Sequence, residues 1–169
     1  MISHTHKIPE INSLIDKENG LLQLLKDHGG IIHKLCFMYT NNNDEYKDLK
    51  QEINYQLIKS YGQFKGNSKL STWVYKVSLF TALSFIKCKP KKHQQLEDVA
   101  DIVSTTHEFD EWNTILEQIK KLPENEKSLV FLYLEDKSYK EISEILGISE
   151  TNVGVKLNRI KKKLKEYFT

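Results

Sequence analysis

From Ser138 to Tyr167 the chain reads SYKEISEILGISETNVGVKLNRIKKKLKEY, and its start and stop signals leave this stretch little freedom in how to fold. Ser138 and Glu141 have the S-x-x-E spacing of a capping box, in which a hydroxyl and a carboxylate each satisfy a backbone N–H orphaned at a helix start. Ile142, Ile145 and Leu146 follow at helical spacing, and Gly147 is the residue type best suited to the left-handed position that ends a helix. Ser149 can cap a second helix at once, with Ile148 and Val153 spaced as a hydrophobic staple across its start. Two short helices joined by a tight glycine turn are the sequence form of a helix-turn-helix.

On the second helix Val153, Leu157, Ile160 and Leu164 form one apolar stripe. Glu150, Thr151, Asn152, Lys156, Arg159, Lys162 and Lys163 fall on the other faces. The first turn can hydrogen-bond base edges, and the later turns supply cations for phosphate oxygens. From Thr151 to Lys165 there are six basic residues and no acidic one, while the rest of the chain is net acidic. That concentration of charge suits a polyanion better than the small total of +2 suggests. The alternatives are a solvated helix hairpin and a membrane-surface helix; the stripe is narrow for the latter and lacks Trp. Gly154, in the second turn, is expected to let the helix approach the groove closely at a cost of about 1 kcal/mol of helix propensity.

The rest of the chain is helical in pattern too. Ile11, Leu14, Ile15, Leu21, Leu22 and Leu25 recur at helical spacing, and an apolar stretch covers Ile31 to Tyr39. Tyr46, Leu49, Ile53, Leu57 and Tyr61 step by three or four residues along one face. Gly62 and Gly66 break that helix; Ser68 or Ser71 can cap the next, which carries Trp73, Val74, Val77, Phe80 and Phe85 and should end near Pro90. Between Cys88 and Asp110 the pattern dissolves into a basic patch and then an acidic segment, Glu97 to Glu111, the signature of a linker. Periodicity resumes at Trp112, Ile115, Leu116 and Ile119, and Pro123 suits the first turn of a helix bearing Leu129, Val130, Leu132 and Tyr133. The expected fold is all-α: two small helical domains, 1–88 and 111–169, joined by a flexible linker at 89–110, the second a helix-turn-helix.

Several function classes recede. No run approaches the ~20 apolar residues of a bilayer span, and the N-terminus lacks a signal-peptide core, so a cytoplasmic protein without membrane insertion is expected. Cys36 and Cys88 stand alone and read as ordinary reduced thiols. No phosphate-binding loop, HExxH, nucleophile elbow or triad is present, and His4 and His6 lie in a polar tail; neither catalysis, metal nor cofactor is expected.

Two longer segments carry a family resemblance. DLKQEINYQLIKSYGQFKGNSKLSTWVYKV resembles domain two of the sigma-70 family of bacterial RNA polymerase initiation factors, in its short extracytoplasmic-function group. LPENEKSLVFLYLEDKSYKEISEILGISETNVGVKLNRIKKKL resembles domain four of the same family. The resemblance runs from about His28 to Phe168 and implies a factor that binds core polymerase and directs it to promoters. The alternative is a stand-alone helix-turn-helix regulator that binds duplex DNA by itself.

The resemblance also implies roles. Asp48, Leu49, Gln51 and Glu52 would dock on the clamp of the polymerase β′ subunit, with domain four on the β flap. Phe64, Lys65, Asn67, Lys69, Trp73, Tyr75, Lys76 and Phe80 would meet the melted minus-10 strand, where aromatic rings can hold unstacked bases and lysines track the backbone. Trp73 equally suits a core position. Glu150, Thr151, Asn152, Lys156, Arg159, Lys162 and Lys163 would serve the minus-35 element. An anti-sigma factor is a further candidate partner, and the acidic segment would mimic RNA in the polymerase cleft. The chain departs from relatives at Phe80, where an asparagine is common, at Ile58, where tryptophan is common, and at Gly154, where lysine is common.

Overall fold

The computed structural model describes residues 19–88 and 119–167, with side chains in the second segment up to residue 163. The N-terminal histidines, Ile11 to Ile15, the acidic segment, Trp112 to Leu116 and the Leu164 side chain lie outside the described residues. Every regular element within them is an α-helix. We number these α1 (residues 19–27), α2 (Gly29–Tyr39), α3 (Asn43–Tyr61), α4 (Leu70–Cys88), α5 (Glu124–Leu134), α6 (Tyr139–Leu146) and α7 (Glu150–Tyr167).

The long helix α3 begins where Asn42 accepts a hydrogen bond from the Glu45 N–H at 2.9 Å, and Asp44 and Glu45 add favourable negative charge to its first turn. Tyr46, Leu49, Ile53 and Leu57 are buried along one side, as the spacing predicts. They pack against Val74, Tyr75, Leu79 and Ala82 of α4 and against α2, whose Leu35 and Cys36 are fully enclosed. Leu49 is 0% exposed, which corrects the expectation that it touches polymerase. Its place is in the core beneath Asp48, Gln51 and Glu52.

In the second half α5 follows Pro123, which stands as the residue before the helix rather than in its first turn. Leu129, Val130 and Leu132 are buried as expected, and so is Phe131 between them. The α5 helix ends in a Schellman turn: Lys137 N–H reaches Leu132 C=O and Asp136 N–H reaches Tyr133 C=O, both at 3.2 Å. Asp136 adopts φ 53° there, where glycine is usual.

The two halves share an interface. Helix α4 packs on α6, and a buried Tyr39 hydroxyl meets the Ser128 hydroxyl at 2.7 Å. Lys127, almost enclosed at 6% exposure, donates to Glu124 and lies over the Tyr39 ring. No helix among the described residues is long and apolar enough to cross a membrane.

Candidate nucleic-acid interface

The helix-turn-helix forms as its local signals require. Ser138 Oγ accepts from the Glu141 N–H at 3.2 Å, while Glu141 Oε2 accepts from the Ser138 N–H at 3.0 Å, so both halves of the capping box are made. Gly147 takes φ 68°, and its N–H donates to Ser143 C=O. Ser149 Oγ then accepts from the Asn152 N–H at 3.3 Å. Val153, Leu157 and Ile160 are buried behind the helix, leaving Glu150, Thr151, Asn152, Arg159 and Lys162 exposed.

The cations are not equivalent. Lys163 donates to Glu126 of α5 at 2.7 Å, so a phosphate contact from it must compete with that carboxylate. Lys161 lies 4.0 Å over the Tyr133 ring and donates to its hydroxyl, an anchor between α7 and α5. Lys156 is half-buried. Gly154 is not an open position: a Cβ there would sit 3.4 Å from the Tyr139 ring of α6. That distance is an ordinary van der Waals contact, so a small side chain would fit beside the ring.

The residues expected at the melted strand divide into three groups. Phe64, Trp73 and Tyr61 form an aromatic cluster, with ring centroids 5.3 Å apart for Phe64 and Trp73 and 6.4 Å for Tyr61 and Trp73. Trp73 packs on the core and keeps a solvent-facing side. Lys65, Asn67, Lys69 and Lys76 are exposed around this cluster, and Gly66 at φ 72° turns the loop. Phe80 lies elsewhere: it lines the groove between α3 and α4 together with Asp48, Gln51, Glu52 and Tyr55. The structure therefore groups Phe80 with the residues expected to dock on polymerase. Ile58 is 51% exposed, so it does not replace a core tryptophan by packing.

Tyr75 is the exception to an exposed strand surface. It is 2% exposed, its ring lies 6.5 Å from that of Phe131, and its hydroxyl donates to Glu135 at 2.8 Å. Burial first, and then the neighbouring Glu135 carboxylate, push its hydroxyl well above the usual phenol range. In this arrangement Tyr75 cannot stack on a base. Nothing in the sequence singles out Glu135, which opens an ordinary charged Glu-Asp-Lys run at a helix end. Cys36 is inert, its thiol pushed up to about 12 by burial.

With this geometry in hand, comparisons with known proteins settle the family. The model for Sigma-70 region 2 matches residues 24–91, and that for Sigma-70, region 4 matches residues 112–164. RNA polymerase sigma factor SigV of Bacillus subtilis (strain 168) is 26% identical over 151 residues, covering 88% of this chain and 91% of its own. ECF RNA polymerase sigma factor SigW of the same organism is 26% identical over 152 residues, covering 80% and 81%. Among solved structures, CnrH in complex with the cytosolic domain of CnrY superposes with TM-score 0.67 at 14% identity, over 89% of this chain and 88% of that one. The sigma factor RpoE of Bartonella quintana, solved with the anti-sigma factor NepR, gives 0.62 at 14% identity, over 89% and 95%. The chain belongs to the sigma-70 family of RNA polymerase sigma factors, in its extracytoplasmic-function group. It is a non-enzymatic initiation factor that directs core polymerase to promoters, and the region 2 match removes the stand-alone regulator.

Proposed function

We propose a division of this activity among named residues. The first turn of α7 reads the minus-35 element through Glu150, Thr151 and Asn152, with Lys156, Arg159, Lys162 and, less strongly, Lys163 on phosphates. The carrying observation is that Val153, Leu157 and Ile160 are buried directly behind exposed first-turn polar groups, the arrangement a helix needs to enter a major groove. Phe64 and Trp73, with Lys65, Asn67, Lys69 and Lys76, hold the opened minus-10 strand. The exposed Asp48, Gln51 and Glu52, with Phe80 beside them, face the β′ clamp, and domain four meets the β flap. The halves act as domains 1–88 and 111–169 around a linker at 89–110. A factor that acts with core polymerase acts in the cytoplasm, and an anti-sigma factor, as found on RpoE of Bartonella quintana, is a fitting regulator.

Reconstitution tests the map. Core polymerase given this protein should initiate at a promoter selected from a random library. Asn152→Ala should change preference at one minus-35 position by about 1–3 kcal/mol, whereas Arg159→Ala should weaken binding at all sequences and lower the salt slope by about 1. An unchanged preference with Asn152→Ala would remove that residue from the reading face.

A further inference from the structure

The outward face of α7 has an apolar centre. At about 100° per residue, Val155 lies roughly 140–160° around the helix from each of Val153, Leu157 and Ile160, which are buried. It therefore stands opposite the stripe that fixes α7 to its neighbours, in line with exposed Thr151 one turn before it and exposed Arg159 one turn after. Val155 is 46% exposed, and among the described residues no other apolar side chain of α7 is left in solvent.

A single exposed valine is ordinary on a protein surface and by itself means nothing. Its position is what matters here. A docked recognition helix presents base-reading side chains over about two turns, three or four residues apart, so the residue four after Thr151 enters the groove with it. Valine can neither donate nor accept a hydrogen bond. Pressed against the N7, O6, N6 or N4 of a base edge, it would strip water from those groups without replacing their hydrogen bonds. The thymine C5-methyl is the apolar group that base pairs show in the major groove, and apolar side chains read it by contact.

We propose that Val155 is a specificity-determining residue of the minus-35 reader and selects a T·A pair by packing on the thymine C5-methyl. The inference rests on the reading that α7 enters the minus-35 major groove. It adds a contact of a different kind: Thr151 and Asn152 read by hydrogen bonds, Arg159 meets phosphate, and Val155 reads by apolar fit. A β-branched side chain in a helix is held in one χ1 rotamer, so Val155 loses little freedom on docking. Its uncharged contact also adds nothing to the salt dependence of binding, unlike that of Arg159.

The test uses holoenzyme reconstituted from core polymerase and the full chain, on a promoter selected from a random library. Each thymine of the minus-35 element, on either strand, is replaced singly by deoxyuridine, which pairs as thymine does and lacks only the C5-methyl. Competition binding should show one position at which the replacement weakens the wild-type complex about fourfold. Val155→Ser, a change on the exposed helix face, should weaken binding of the unmodified promoter by a similar factor and lose the deoxyuridine effect at that position. Circular dichroism checks that the variant is folded. If no deoxyuridine replacement weakens the wild-type complex although base-pair changes in the element do, α7 reads the element without a methyl contact and the inference alone fails. If the deoxyuridine effect is equally large in Val155→Ser, another group senses the methyl and the inference again fails alone. If base-pair changes across the element leave binding unaltered, the minus-35 reading itself falls, and the inference with it.

Discussion

The two surfaces proposed to face DNA differ in how they are presented. The first turn of α7 stands in solvent, with its scaffold, the capping box and glycine turn, made within a dozen residues. On the α4 side, Tyr75 is buried under Phe131 and Glu135, and Lys69 is paired with Glu141. The first is built locally; the second lies where exposed Lys65, Asn67 and Lys76 adjoin two groups, Lys69 and Tyr75, that meet the C-terminal half. A surface held by local hydrogen bonds survives movement of its neighbours, whereas one shared between halves changes state whenever they part.

Perturbing the shared surface should have the largest effect. Phe131 is 0% exposed and faces Tyr75, so Phe131→Ala should lose about 3–5 kcal/mol in denaturant unfolding through the cavity it leaves. Loss of under 1 kcal/mol would show that the interface collapses around the gap. On the locally built surface, Ser138→Ala removes the hydroxyl half of the capping box and should cost about 1 kcal/mol, read by the same titration. Its effect on the shared surface should be confined to Glu141.

Gly154→Ala sharpens the comparison in the opposite direction. Alanine gains up to about 1 kcal/mol of helix propensity, and its Cβ would lie 3.4 Å from the Tyr139 ring, a contact that a partly exposed ring can accommodate. A net gain in melting temperature is expected. Gly154→Lys, with a longer chain to place beside that ring, should retain the fold but change DNA affinity; a promoter library would register the difference. Equal affinity throughout would show that this position is remote from the groove.

The smallest effect is expected from pH. Glu141 is held down to about 2, first by the Lys69 hydrogen bond and then by the Ser138 backbone N–H and hydroxyl. A carboxyl lowered in the folded state contributes fully above its ordinary value near 4.5 and loses that contribution as pH falls from there toward about 2. The α6 cap should therefore persist at pH 4 in amide-exchange measurements. Lys69→Met should move its loss to higher pH; an unchanged profile would show that the capping box alone sets the titration.

Much of the helix-turn-helix was legible because its signals act over four residues. Ser138 with Glu141, Gly147, and Ser149 with Asn152 all do what their types and spacing require. The strand surface was less legible. Leu49 belongs to the same D-L-x-Q-E segment as its exposed neighbours, yet helical rotation turns it inward. Phe80 shares α4 with Trp73, but it lines the groove between α3 and α4 beside Asp48 and Glu52. Periodicity assigns a residue to a face and is silent on what that face meets.

From sequence alone follow the helical class, the caps of the last two helices and the concentration of cations on the last helix. Each depends on interactions within a turn or two of the backbone, or on charge summed over a segment. Tertiary structure decided which groups meet across the molecule: Glu135 with Lys34, 101 positions apart, Glu141 with Lys69, and Tyr139 over Gly154. Those pairings depend on the register in which apolar faces interlock, and many registers bury the same leucines and isoleucines equally well. Only the packed chain selects one, and with it which carboxylate finds which cation.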